Sequence, residues 1–165
     1  MPHDPFRICF VCTGNICRSP TAEVVMRQLV QEAGLADRIE VDSAGTAGYH
    51  VGEDADPRSR AVLEAAGYDF THSVRRFRSS WFAERDLVIA LDSGHLSLLR
   101  RAAHTPEDSA KIHRLREWDP EAKRSGDKDV PDPYYGGDRG FDDVLAMVER
   151  SCAGLLAHVR TLIGT

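Results

Sequence analysis

Cys12-Thr13-Gly14-Asn15-Ile16-Cys17-Arg18-Ser19-Pro20 follows the apolar run Ile8–Val11 directly and leads into a segment of helical periodicity. Phe6 to Val11 reads as a continuous strand buried on both faces, the kind found in parallel sheets. Between Cys12 and Arg18, Gly14 and Asn15 permit backbone positions with φ > 0, so the chain can curl until its N–H groups converge on one point. Such a ring of donors binds an oxyanion. A helix beginning near Arg18 to Pro20 turns its positive dipole end toward the same point, which favours a Cys12 thiolate and a phosphate dianion. Arg18 adds a planar two-donor fork for two phosphoryl oxygens.

Outward from this loop, strand-like and helix-like segments alternate. Thr21 to Ala33 carries Val25, Leu29 and Ala33 at helical spacing, with Met26 and Val30 beside them and Gly34 as the stop. Arg38 to Asp42 reads as a short second strand, with Ser43-Ala44-Gly45-Thr46 as the turn after it. Gly48 to Gly52 is a loop, and Pro57 to Ala66 is a helix with Pro at its start and Gly67 beyond its end. Residues 68–80 are polar and irregular; Arg75, Arg76 and Arg78 there read as a solvated face, with a substrate-steering rim as the alternative. Leu87 to Leu91 is the clearest buried strand and ends in Asp92, with Leu96, Leu98 and Leu99 marking the next helix. Lys111 to Leu115 is a weaker strand. From Trp118 to Gly140 the chain is rich in Asp, Lys, Pro and Gly without periodicity, which reads as one long functional loop. Phe141 to Leu162 then holds helical spacing in a long C-terminal helix. Strands alternating with helices imply a parallel sheet of about four strands covered on both faces, with ligands bound at the C-terminal strand ends.

The length, 165 residues, suits a single domain over 1–165 that buries a core without metal or disulfide staples. A net charge of -5 with both signs mixed throughout offers no basic stripe, which argues against a nucleic-acid partner. Met1 to Pro5 lacks a basic flank and an apolar h-region, and no run approaches the ~18 apolar residues of a membrane span, so no membrane partner and a cytoplasmic location are expected. The four cysteines, Cys9, Cys12, Cys17 and Cys152, form no disulfide framework. Cys9 and Cys12 make a formal C-x-x-C, but no second Cys or His pair completes a zinc site, and Cys9 reads as an inward-facing strand residue. No metal or other cofactor is expected.

The Cys12–Arg18-Ser19 stretch, with the inner Gly14, Asn15 and Cys17 and with Pro20, Thr21, Ala22 and Glu23 after it, resembles the phosphate loop of the low-molecular-weight protein tyrosine phosphatases. Ser43-Ala44-Gly45-Thr46, Asp56-Pro57-Arg58, His72 with Arg75, Asp92, and Asp132-Pro133-Tyr134-Tyr135 extend the resemblance over nearly the whole chain. The resemblance implies an α/β, flavodoxin-like three-layer sandwich with a four-stranded parallel sheet and the phosphate-binding loop after strand one. It implies phosphotyrosine hydrolysis through a cysteinyl phosphate, with Cys12 as nucleophile, Arg18 and the N–H groups of Thr13, Gly14, Asn15, Ile16 and Cys17 binding phosphate, and Asp132 as general acid. Ser19 is expected to donate to the Cys12 sulfur, and Asn15, Ser43 and His72 to hold the loop open. Tyr49 and His50 are expected on one rim of the cleft, and Tyr134 and Tyr135 on the other. Cys17 is expected to trap an oxidised Cys12 as a disulfide. Partners implied are phosphotyrosine-containing proteins and a tyrosine kinase acting on Tyr134 or Tyr135. His95 stands where the family often has Asn, and only a local structural effect is expected of it. Rival readings are a protein arginine phosphatase of the same fold, against which Ile16 and Tyr134 speak, and a non-catalytic phosphate-binding module. A thioredoxin-coupled arsenate reductase needs further cysteines, which residues 79–110 lack.

Overall fold

The computed structural model describes residues 4–135 and 140–165, with the Tyr135 side chain outside the described set. Its frame is a four-stranded sheet of β1 (Phe6–Cys12), β2 (Ile39–Gly45), β3 (Leu87–Ala90) and β4 (Ile112–Arg114), all pairs parallel, in the order β2-β1-β3-β4. The helices are α1 (Arg18–Glu32), α2 (Pro57–Ala65), α3 (Ser93–Ala102), α4 (Pro106–Ala110), α5 (Pro120–Ser125) and α6 (Gly140–Ile163). This is the expected flavodoxin-like sandwich.

β1 shows why the sheet is sandwiched. Its side chains alternate, so Ile8, Phe10 and Cys12 face a core built with Val25, Met26 and Val30 of α1 and Val148, Cys152 and Leu155 of α6. Cys9 and Val11 face the other layer, with Phe82, Val88 and Leu99. Burying a side chain such as Phe10 or Ile8 on this scale stabilises the fold by about 1.5–3 kcal/mol each. In the order β2-β1-β3-β4 the connection leaving β1 runs toward β2 and the one leaving β3 runs the opposite way toward β4, so a crevice opens at the C-terminal ends of β1 and β3. Cys12 and Asp92 stand at those ends.

Two expectations fail. Ser43-Ala44-Gly45 is not a turn: β2 runs through it, pairing Ser43 with Phe10 and Gly45 with Cys12. Small residues look like a turn in isolation, but here they let the phosphate-loop backbone come close; a Cβ on Gly45 would lie 2.6 Å from the Thr13 carbonyl oxygen. Nor is Trp118 to Gly140 uniformly loop, because it contains α5. The Asp119 carboxylate accepts the Glu121 N–H at 3.0 Å, Pro120 opens the helix, and Gly126 closes it in the left-handed region at φ 79°. The capping pattern was present in the sequence, but six residues are too few to show periodicity.

Candidate active site

The loop between β1 and α1 is shaped by where its carbonyls go. The Cys12 carbonyl accepts the Thr46 N–H at 2.8 Å, Thr13 that of Ala47 at 3.0 Å, Ile16 that of Asp56 at 2.8 Å, and Cys17 that of Thr21 at 3.2 Å. His72 Nε2 donates to the Asn15 carbonyl at 2.7 Å. With the carbonyls turned outward, the N–H groups of Thr13, Gly14, Asn15, Ile16 and Cys17 find no protein acceptor among the described residues. Asn15 is the only non-glycine residue at positive φ among the described residues, at 58°, whereas Gly14 does not adopt one. Gly14 is small for another reason: the His50 ring lies against it.

Asn15 is wholly buried and holds the loop through its side chain. Its amide donates to Ser19 Oγ at 2.8 Å and Ser43 Oγ at 2.9 Å, and its Oδ1 accepts the Arg75 N–H at 3.1 Å. Ser43 passes the load on, donating to Glu23 Oε1 at 2.6 Å, and Glu23 pairs with Arg27 at 2.7 Å. Ser19 Oγ lies 2.9 Å from Cys12 Sγ. Because Asn15 already donates to that oxygen, the Ser19 proton goes either to the sulfur or to the more distant Ala44 carbonyl at 3.4 Å, and turned to the sulfur it stabilises a thiolate and a departing one.

Arg18 opens α1 and is 4% exposed. Its Nη1 donates to Asp92 Oδ2 at 2.7 Å and to the Val130 carbonyl at 2.9 Å. Its Nη2 faces His95 Nε2 at 3.4 Å and Asp132 Oδ2 at 3.7 Å, so the guanidinium is clamped on one edge and directed to the cleft on the other. Asp132 receives its position from upstream: Asp129 accepts the Ser93 N–H at 2.9 Å and Ser93 Oγ–H at 3.1 Å, while Val130 N–H donates to Leu91 O at 2.8 Å. These bonds pin the segment just before the carboxylate, which stays partly exposed and accepts the Tyr134 N–H at 3.0 Å. The 190 Å³ cavity that results is lined by Cys12, Thr13, Gly14, Ile16, Cys17 and Arg18, with Tyr49, His50, Asp132 and Tyr134 as its walls. Tyr49 is 81% exposed, His50 Nδ1 lies 2.7 Å from Glu53, and the Arg58 guanidinium lies over the Tyr134 ring at 5.0 Å. A cleft of about 720 Å³ at the N-terminal strand ends is larger, but its arginines Arg7, Arg27 and Arg85 are already paired with Glu40, Glu23 and Asp42.

His95 is more than a local substitution. It is 3% exposed, its N–H caps α3 on Asp92 at 2.9 Å, and its Nε2 meets both Thr13 Oγ1 at 2.9 Å and Arg18. Arg18 can only donate, so Nε2 carries the lone pair and the proton sits on Nδ1, which is buried 3.2 Å from Asp92 Oδ1 without making a hydrogen bond to it. Burial, aided by the Arg18 charge, pushes His95 down to about 4, against Asp92 and Asp132. Burial pushes Asp92 up, but the His95 N–H, His95 and Arg18 together hold it below the usual carboxylate range. Burial pushes Cys17 up to about 12, so beside Cys12 it is a neutral thiol. Sequence reasoning missed His95, Glu23 and Asp129 as parts of this site; Asp92-x-x-His95 was the available signal, an N-cap followed by a polar residue turned back toward the strand end.

A sequence profile described as low molecular weight phosphotyrosine protein phosphatase matches residues 7–162. A low molecular weight protein-tyrosine-phosphatase from Streptomyces coelicolor is 59% identical over 155 residues, 94% of each chain. Among solved structures, a protein tyrosine phosphatase from Entamoeba histolytica superposes with a TM-score of 0.87 at 36% identity, covering 96% of this chain and 98% of that one. A Drosophila arginine phosphatase superposes at 0.83 with 32% identity, over 93% and 97%. This chain belongs to the low molecular weight phosphotyrosine protein phosphatase family.

Proposed function

We propose that this protein hydrolyses phosphotyrosine in proteins, and small aryl phosphates, through a cysteinyl-phosphate intermediate. The observation that carries the reading is the ring of unpaired loop N–H groups around Cys12, with Arg18 aimed at the same cavity. Cys12 Sγ attacks phosphorus in line and the P–O ester bond breaks, while Asp132 gives its proton to the leaving phenol oxygen. Loop N–H groups and Arg18 Nη2 bind the equatorial oxygens, more tightly as the phosphoryl group flattens. Water then attacks phosphorus, its proton passes to the Asp132 carboxylate, and Cys12 leaves as thiolate stabilised by Ser19. Tyr49 and Tyr134 at the cavity mouth suit an aromatic substrate ring, which favours phosphotyrosine over phosphoarginine. Loss of Asp132 therefore costs most when the leaving group is poor.

The domain is taken as 1–165, supported by a family match over nearly all of it. Substrates are phosphotyrosine-containing proteins, and Tyr134, 43% exposed, is a reachable acceptor for a tyrosine kinase; the Tyr135 side chain, the other expected acceptor, is outside the described residues. Among the described residues no helix is long and apolar enough to cross a membrane, which supports the cytoplasmic reading. The test is phosphate release from phosphotyrosyl and phosphoarginyl peptides with reductant and chelator present. Wild type should release phosphate from phosphotyrosine, Cys12→Ser should not, and Asp132→Ala should lose about 10²–10⁴-fold on the peptide but far less on p-nitrophenyl phosphate. Preference for phosphoarginine would move the chain to the arginine phosphatases, and equal Asp132→Ala losses on both esters would remove Asp132 from the acid role.

A further inference from the structure

The two walls of the cleft differ in charge. One carries Asp132 and Tyr134; Asp132 faces Arg18 of the phosphate site at 3.7 Å, and Arg58, which lies over the Tyr134 ring, is neutralised by Asp56 at 3.1 Å. On the other stands the exposed Tyr49, and next to it Arg76 lies across Gly48; a Cβ on Gly48 would meet Arg76 Cδ at 3.5 Å and Nη1 at 3.8 Å. Arg75 is committed to Asp42 at 2.9 Å and to the Trp81 ring at 5.1 Å. Arg76 and Arg78, both exposed, have no ion pair or hydrogen bond to their guanidinium groups among the described residues. Of the two, Arg76 is the one placed beside Tyr49; an unneutralised cation there, next to a His50 already paired with Glu53 at 2.7 Å, runs against the net charge of -5 of the chain as a whole.

The sheet sets their distance from the chemistry. Arg76 bridges Gly45, and Gly45 is the register partner of Cys12. Two strand spacings place the Arg76 backbone about 10 Å from that of Cys12. An extended peptide advances about 3.3–3.6 Å per residue, so a segment lying across the mouth brings a side chain about two or three residues from the phosphotyrosine to Arg76. From this placement we infer that the Tyr49–Arg76 wall recognises acidic flanking residues, so that the substrates are phosphotyrosyl segments with Asp or Glu about two or three residues from the phosphorylated position. This deepens, and rests on, the phosphatase reading above.

The test compares kcat/KM at low ionic strength for phosphotyrosyl peptides with Asp, Ala or Lys two and three residues before, or two and three residues after, the phosphotyrosine. Wild type should prefer the Asp peptide over the Ala peptide by about fivefold on one side, with Lys worse than Ala and the preference shrinking as salt is added. Arg76→Glu should abolish or invert that preference while p-nitrophenyl phosphate, which has no flanking residues, is hydrolysed as by wild type. Equal rates on Asp and Ala peptides on both sides, or a preference that survives Arg76→Glu, would overturn the inference alone. Wild type that hydrolyses neither peptides nor p-nitrophenyl phosphate would overturn the phosphatase reading and this inference with it.

Discussion

Replacing His95 by Asn tests the buried imidazole at the back of the phosphate site. In the folded chain His95 is held near 4 rather than 6.5, by burial first and the Arg18 charge second. Between those two values the unfolded chain binds more protons than the folded one, so stability falls as pH drops through that window and is fully present above it. Linkage through this one group makes the fold about 2 kcal/mol less stable near pH 4.5 than near pH 7. Asn cannot titrate, yet its amide oxygen can accept from Arg18 and its N–H₂ can donate to Thr13 or Asp92, so the geometry tolerates it. Urea unfolding of wild type and His95→Asn at both pH values isolates the term, because every other titrating group is common to the two proteins. Wild type should lose about 2 kcal/mol more than the variant on acidification. Equal losses would refute the assignment of His95 as a neutral, buried acceptor for Arg18.

Mild peroxide should oxidise Cys12 to a sulfenic acid, which the neutral Cys17 thiol then condenses with, forming the disulfide and releasing water. Peptide mapping should find that link and reductant should restore activity; in Cys17→Ser the loss should become irreversible, and sulfinic or sulfonic Cys12 in wild type without the link would refute it. Gly154→Ala drives a methyl group into the Trp118 carbonyl, backbone that cannot swing aside, and should cost about 1–3 kcal/mol in urea unfolding with no change in the ratio of aryl phosphate to peptide hydrolysis. A variant as stable as wild type would mean that α6 does not pack this tightly on the 3-10 turn Leu115–Trp118.

Much of the fold was legible where periodicity runs long. β1, α1, α2, β3 and α6 lie within a residue or two of their expected ranges, because each buries a continuous run or stripe that sequence alone displays. Short elements were not: α4 and α5 announce themselves only by Thr105-Pro106 and Asp119-Pro120, and the 3-10 helix Ser79–Glu84 has no periodic signal. In the site, the loop residues were legible because their types are contiguous and chemically demanding. Glu23, Asp129 and His95 were not, because each acts on a partner far away in the sequence: Ser43, Ser93 and Arg18.

The sequence by itself determined the chemistry on offer: a thiol, an arginine and a left-handed Asn in one short loop between a buried strand and a helix, and an Asp-Pro far downstream. Only the tertiary structure decided how these are used. Parallel pairing in the order β2-β1-β3 brings the ends of β1 and β3 together, so that Asp92 and His95 grip Arg18 and Val130 carries Asp132 to within 3.7 Å of it. It also sets Arg76 beside Tyr49 on one wall and Asp132 on the other. Contacts across 60 to 112 residues depend on strand order and register, which are properties of the packed sheet and of no local stretch of chain.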